Sequence, residues 1–172
     1  MASNKIAPKV QKTTLLVMGE GECEKAFLEH FKSLYNERNS GKKIKIDHAG
    51  GGSPHDVIKY TKKTTSHISY DEIYILMDSD VKVKDKDLNI AKDNHFTILY
   101  STPLCLEGML LEVLGQPIPT TAQACKDKLH PQLSNKPTQK ENYSPLFDKP
   151  VLDNSNHTTI IQLKEIFGKT YP

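Results

Sequence analysis

Four short apolar runs alternating with helical patterns fill the first hundred residues, and they leave few folds open to the chain. Thr13 to Met18 (TTLLVM) has the length and uniform apolarity of a buried strand, and Gly19 to Gly21 breaks it. From Glu22 to Arg38, Cys23, Ala26, Phe27, Phe31 and Leu34 recur at intervals of three and four, the spacing of one helix face. Asn39, Ser40 and Gly41 end that helix. Lys43 to His48 alternates like a half-buried strand, with Ile44 and Ile46 on one face. Gly50-Gly51-Gly52 leads into Ser53-Pro54-His55-Asp56, where a capping serine, a proline at the first helical position and an early acid predict a helix running to about Ser66. Glu72 to Met77 (EIYILM) reads as a third strand ending at Asp78-Ser79-Asp80. A lysine-rich stretch from Val81 to Asp87 leads into a short helix, Phe96 to Tyr100 (FTILY) reads as a fourth strand, and Leu106 to Leu114 is helical.

Strand–helix alternation with short links predicts an α/β fold: a four-stranded, mainly parallel sheet with helices on both faces. After Gly115 the prolines Pro117, Pro119, Pro131, Pro137, Pro145 and Pro150 punctuate the chain, leaving room for helices near Thr121 to Leu129 and Thr158 to Phe167. We therefore expect a flexible tail over 1–12, an α/β domain over 13–115 and a helical C-terminal extension over 116–172 packed on the same domain. The tail is polar and basic, unlike a signal peptide, and no apolar run is long enough to span a bilayer. Cys23, Cys105 and Cys125 are odd in number and widely spaced, with no Cys-x-x-Cys, so a disulfide framework or zinc knuckle is not indicated and a cytoplasmic setting is expected. The formal net charge is only +2, and Arg38 is the sole arginine among 23 basic residues. Lysine meets phosphate as a point charge without the planar fork that reads bases, so any nucleic-acid contact is expected to be with the backbone.

In an open parallel sheet, ligands sit beyond the carboxyl ends of the strands. Two strands here end in acids: the first in Gly19-Glu20-Gly21-Glu22, the third in Asp78-Ser79-Asp80. A 2-1-3-4 strand order would bring Glu20, Asp78 and Asp80 into one crevice. Carboxylates so gathered repel one another unless a cation neutralises them, and such oxygen-rich sites suit Mg²⁺ or Mn²⁺. Any one of these acids alone reads as an ordinary polar strand end; the joint pattern is what points to metal. Gly21 is expected where a sharp turn into a helix needs a small residue.

The runs LLVMGEGECEKAF (Leu15 to Phe27) and IYILMDSD (Ile73 to Asp80) resemble the Toprim domain of topoisomerases, primases and small nucleases, and most resemble its RloB-like group of short, solitary proteins. The resemblance rests on Glu20-Gly21-Glu22-Cys23-Glu24, on Asp78-x-Asp80, and on Ser101-Thr102-Pro103 followed by Cys105-Leu106-Glu107. The chain departs from the group with one more residue between Pro103 and Glu107, and with Gly108 and Met109 in place of a tryptophan-containing run. The resemblance implies that Asp78 and Asp80 hold Mg²⁺, that Glu20 shares the metal or shuttles a proton, and that Glu24 and Glu107 complete a second metal site. Glu24 equally fits a capping acid at the positive end of a helix. It further implies a metal-dependent endonuclease acting on DNA or RNA in bacterial or phage conflict, with an ATPase partner; self-association stays open.

Lys82 and Lys84, directly after the acids, are placed to draw a phosphate backbone toward them. Gly51, Gly52 and Ser53 could cradle a phosphate at a helix start, although a plain capped turn accounts for them as well. The loop matches neither a Walker A sequence nor a dinucleotide fingerprint. The histidines form no ligand pair, and His48 and His55 beside the glycine loop read as satisfied surface residues. Ser53 and Ser101 lack His and Asp partners, which argues against a serine hydrolase. Two further functions compete: a non-catalytic regulatory subunit of an ATPase-containing complex, and a receiver-like domain, for which Tyr100-Ser101-Thr102 lacks the lysine needed.

Overall fold

The computed structural model describes residues 11–168, so most of the tail expected over residues 1–12 lies outside the described residues; Gln11 and Lys12 are exposed and in no regular element. The elements follow in the order β1 (Thr13–Gly19), α1 (Glu22–Tyr35), β2 (Lys42–His48), α2 (Pro54–Thr65), β3 (Glu72–Asp78), α3 (Asp85–Asp93), β4 (Phe96–Ser101), α4 (Leu106–Val113), α5 (Ala122–Leu129), α6 (Lys149–Asp153) and α7 (Thr158–Phe167). Two 3₁₀ turns, His130–Leu133 and Lys140–Tyr143, lie between α5 and α6. The sheet has the order β2-β1-β3-β4, and every neighbouring pair is parallel.

The alternation of side chains along each strand divides the core in two. Leu15 and Val17 of β1, Ile44 of β2, Leu76 of β3 and Leu99 of β4 face α1, α4, α5 and α7. Leu16, Met18, Ile75 and Met77 face the other way, onto Val57 and Ile58 of α2 and Ala91 of α3. The central strands β1 and β3 are covered on both faces, which is why their sequences read as unbroken apolar runs. The C-terminal helices join the first of these cores. Phe27 and Phe31 of α1 pack against Tyr143, Phe147 and Phe167, with ring centroids between 5.6 and 6.4 Å apart. Aromatic pairs at such distances add to the gain from burial alone.

Helix α1 stops at Tyr35, three residues short of Arg38. Asn36 turns extended (φ −89°, ψ 91°), and its amide bonds Ser40 Oγ at 3.1 Å. The start of α2 follows the sequence closely. Ser53 Oγ accepts the Asp56 N–H at 3.3 Å, and Asp56 Oδ2 reaches back to the Ser53 N–H at 2.9 Å. Ser53→Ala removes half of this reciprocal cap and is expected to cost about 1 kcal/mol of stability, read from denaturant melts.

Candidate metal centre

The strand order makes the acidic ends of β1 and β3 neighbours. Gly19 pairs with Leu76, the Glu20 N–H donates to Leu76 O at 3.1 Å, and the Glu20 side chain then reaches the Asp78 N–H, which donates to Oε2 at 3.1 Å. Asp78 Oδ1 accepts the Leu106 N–H at 3.0 Å. That N–H belongs to the first turn of α4, where amides have no partner within the helix and the helix dipole favours negative charge. The turn before α4 is tied to the same strand end, because the Ser79 and Asp80 N–H groups both donate to Leu104 O, at 3.0 and 2.9 Å.

Helix α1 closes tightly onto β1. A Cβ on Gly19 would lie 2.7 Å from Glu24 Cβ, so the small residue is needed there. Gly21, expected to serve the turn, is the N-cap in ordinary extended conformation (φ −133°, ψ −169°), which any residue adopts. Glu24 accepts the Gly21 N–H at 2.8 Å, a capping bond, and is 7% exposed. It also lines a pocket of about 220 Å³ together with Glu20, Asp78, Glu107, Lys126 and His130. Four buried or half-buried carboxylates thus meet in one cavity, two from strand ends and two from the first turns of α1 and α4, and the exposed Glu22 lines it as well.

Glu107 is 3% exposed. Its Oε1 lies 2.7 Å from His130 Nε2, whereas its Oε2 is buried with no hydrogen-bond partner. A buried carboxylate oxygen left unpaired is expensive, and a cation is one way to satisfy it. The donor set of the pocket is therefore the kind that holds a divalent ion.

The electrostatics point the same way. Burial and the neighbouring Glu24 and Glu20 charges push Asp78 up to about 8, although its bond from Leu106 opposes this. Burial pushes Glu24 up to about 7 against its own capping bonds, with Glu107 and Glu20 adding to the rise. Glu20 is raised mainly by burial, with Asp80 contributing. Lys126 faces these acids. Burial works against its charge, but Glu107, Asp78 and Glu24 outweigh that and hold it above the usual lysine value. Carboxyls raised in the folded state stabilise the fold fully only below their unfolded values, and that contribution is lost as pH rises through about 7 to 8. The metal-free protein is accordingly expected to melt at a higher temperature near about pH 5 than near about pH 9, with Mn²⁺ narrowing the gap by neutralising the acids.

A family model described as RloB-like protein matches residues 15–164, from β1 into α7. The chain belongs to the RloB-like family. No curated protein and no solved structure matches it. The region shared with the RloB-like family contains every side chain named in the pocket.

Within this RloB-like fold, Glu20, Asp78, Glu24 and Glu107 come together, while Asp80 is exposed and outside the pocket lining, close enough only to raise Glu20. Gly51 lines the pocket and donates its N–H to Glu20 O at 2.8 Å. Gly50, Gly51 and Gly52 all have positive φ, from +85° to +106°, which confines this turn to glycine. Most of its amides are already engaged: Gly50 N–H donates to His48 Nδ1, Gly51 N–H to Glu20 O, and Ser53 N–H to Asp56. Lys82 and Lys84 line a separate cleft with Lys86, Ser53 and His55. His55 Nδ1 is held at 2.6 Å by buried Asp87, and His48 accepts from Gly50, so neither histidine enters the acidic pocket. Lys126 and His130 line the pocket without any signal in the sequence that named them, and Cys23, legible as a helix-face residue, was given no site role. Lys126 and His130 stand four apart at the end of α5, so that one helix face delivers both; that spacing is the only trace they leave in the sequence. Among the described residues no helix is long and apolar enough to cross a membrane.

Proposed function

We propose that this RloB-like protein is a metal-dependent nuclease of the Toprim type that hydrolyses phosphodiester bonds in DNA or RNA. The observation that carries the reading is Glu107 Oε2, a buried acceptor without a hydrogen-bond partner in a pocket it shares with Glu20, Glu24 and Asp78. Glu20, Asp78, Glu24 and Glu107 are the residues to hold Mg²⁺ or Mn²⁺, and Asp80, exposed outside the lining, acts only through its charge on Glu20. Such an ion, when bound, supplies charge to polarise a phosphate and acidity to a coordinated water. The residues of the chain do the rest. Lys126 offers ammonium donors to a non-bridging phosphate oxygen, Glu20, raised above the ordinary carboxylate value mainly by burial, is suited to take a proton, and His130 orients Glu107. Lys82 and Lys84, in one cleft with Ser53, form the approach for the phosphate backbone, and the glycine turn at Gly51 and Gly52 leads from Ser53 to the acidic pocket that Gly51 lines.

In this reading 13–115 is the catalytic unit, and the extension over 116–172 completes it by supplying Lys126 and His130. A cytoplasmic site of action, a role in phage defence and an ATPase partner are part of the proposal and rest on the family resemblance.

The test is cleavage of labelled DNA and RNA by the purified chain with Mn²⁺, with and without a co-purified ATPase. Activity is expected to vanish in Glu20→Ala, to fall about 10²-fold in Lys126→Ala through kcat rather than KM, and to fall less than about tenfold in Asp80→Ala. Cleavage that survives in both Glu20→Ala and Asp78→Ala, with the fold intact, would falsify the mechanism.

A further inference from the structure

One wall of the acidic pocket has a different chemistry from the rest. Cys23, Glu107 and His130 each offer a ligand atom, and the three atoms lie within 4.8 Å of one another. The three residues come from three separate helix ends: the first turn of α1, the first turn of α4 and the 3₁₀ turn that follows α5. Elements held by a common core fix such groups more firmly than loops do. Glu107 is buried, Cys23 and His130 are half-buried, and Glu107 Oε2 has no partner. Glu107 thus has one oxygen on His130 and a second unsatisfied, and both cannot be explained by the histidine alone.

We infer that Cys23, Glu107 and His130 form a three-ligand site for a borderline-soft transition ion of the Zn²⁺ type, with a fourth position open to the pocket. A thiolate, an imidazole and a carboxylate are ligands that Mg²⁺ does not favour and that Zn²⁺ and Co²⁺ do. Three protein ligands and an open position is the pattern of a reactive rather than a structural site. The cavity of about 220 Å³ beside them has room for water or a substrate oxygen at the fourth position. Ligand atoms on one tetrahedral ion, at bonds of about 2.0–2.3 Å, stand about 3.3–3.8 Å apart. Capture therefore opens the 2.7 Å contact between His130 and Glu107 by about 1 Å or less, within reach of side-chain rotation. Binding releases the thiol proton, moves the proton shared by His130 Nε2 and Glu107 Oε1 to His130 Nδ1 or to solvent, and replaces that hydrogen bond with two metal bonds. The site does not depend on the nuclease reading. It shares Glu107 with the carboxylate cluster but not Glu20 or Asp78.

The probe is Co²⁺, titrated into the purified full chain with a non-thiol reductant. The expected result is one ion per chain with a near-ultraviolet thiolate-to-cobalt band that Zn²⁺ displaces and a large excess of Mg²⁺ does not. Cys23→Ser, a near-isosteric change at a half-buried position, is expected to erase the band, and His130→Gln to weaken Co²⁺ binding about a hundredfold. Glu20→Gln and Asp78→Asn are expected to keep the band, which separates this site from the proposed catalytic one: a chain that shows the band but cleaves nothing upholds this site and removes the nuclease reading. Cys125→Ala, which deletes one of the two fully buried thiols, is also expected to keep it. Absence of a thiolate band in the wild-type chain, or a band that persists in Cys23→Ser, overturns the site.

Discussion

Asp78→Asn is expected to lower metal-dependent cleavage by about 10³-fold while raising the melting temperature of the metal-free protein above about pH 8. The two effects have opposite signs because one side chain serves two ends. In the empty pocket Asp78 is buried among Glu20, Glu24 and Glu107, and its pKa of about 8 records how poorly its charge is tolerated there. Asparagine keeps an oxygen where Oδ1 accepts the Leu106 N–H, so the local backbone arrangement is retained. It also replaces the other oxygen with donors facing the remaining carboxylates. The stability gain is fully present once pH exceeds the folded value of Asp78, and it disappears below the ordinary carboxyl range, where Asp78 is neutral in both states. After discounting for a pocket open to water, about 1–3 kcal/mol, or a few degrees in Tm, is a reasonable size. The cost falls on function, since a neutral amide is a poor ligand for a hard divalent ion. Thermal melts across pH with and without Mn²⁺ check both halves: the variant is expected to lose the Mn²⁺-dependent rise shown by the wild type. A variant less stable than wild type at high pH, or still active, contradicts this account.

The part of this arrangement that depends on local pattern was legible in the sequence. LLVM and ILM are buried on both faces of the sheet and so had to be apolar throughout, and a parallel order with β1 beside β3 follows once they are the central strands. That order alone brings Glu20 to the Asp78 N–H. Asp80 was harder to place, because a strand that ends at Asp78 no longer dictates where the residue two positions later points. Lys126 and His130 were not legible for a different reason. Their positions depend on how α5 docks on α4, through contacts among Cys105, Met109, Cys125 and Leu129 that bridge distant parts of the chain. The short α6 and the two 3₁₀ turns fall where prolines suppress any periodic signal. Gly21 and Gly19 show the limit of reading glycines by motif. Gly21, at the turn, sits in ordinary extended geometry, and Gly19, at the strand end, makes the close approach.

Gly108→Ala is expected to destabilise the protein by about 2–3 kcal/mol and to disable the acidic pocket from a distance. Helix propensity alone predicts the opposite, because alanine in a helix interior is favoured over glycine by about 1 kcal/mol. The packing decides. A Cβ on Gly108 would sit 2.2 Å from Pro103 O, far inside the 3.0 Å that real Cβ atoms essentially never breach, and the obstacle is backbone that cannot rotate away. Cys125 Sγ lies 3.6 Å from the same point, so α5 closes the other side. Relief requires α4 to back away from the turn at Pro103 or from α5. Moving α4 from the turn draws Glu107 and the Leu106 N–H away from Asp78, and moving it from α5 separates Glu107 from His130 and shifts Lys126, the residue next to Cys125. Either movement weakens divalent-ion binding although Gly108 has no side chain to offer a ligand. The expected result is a lower denaturant midpoint together with a Mn²⁺ affinity reduced about tenfold or more. Both are measured on the same preparation, since a variant that keeps wild-type stability and affinity would mean that α4 can yield without disturbing the site.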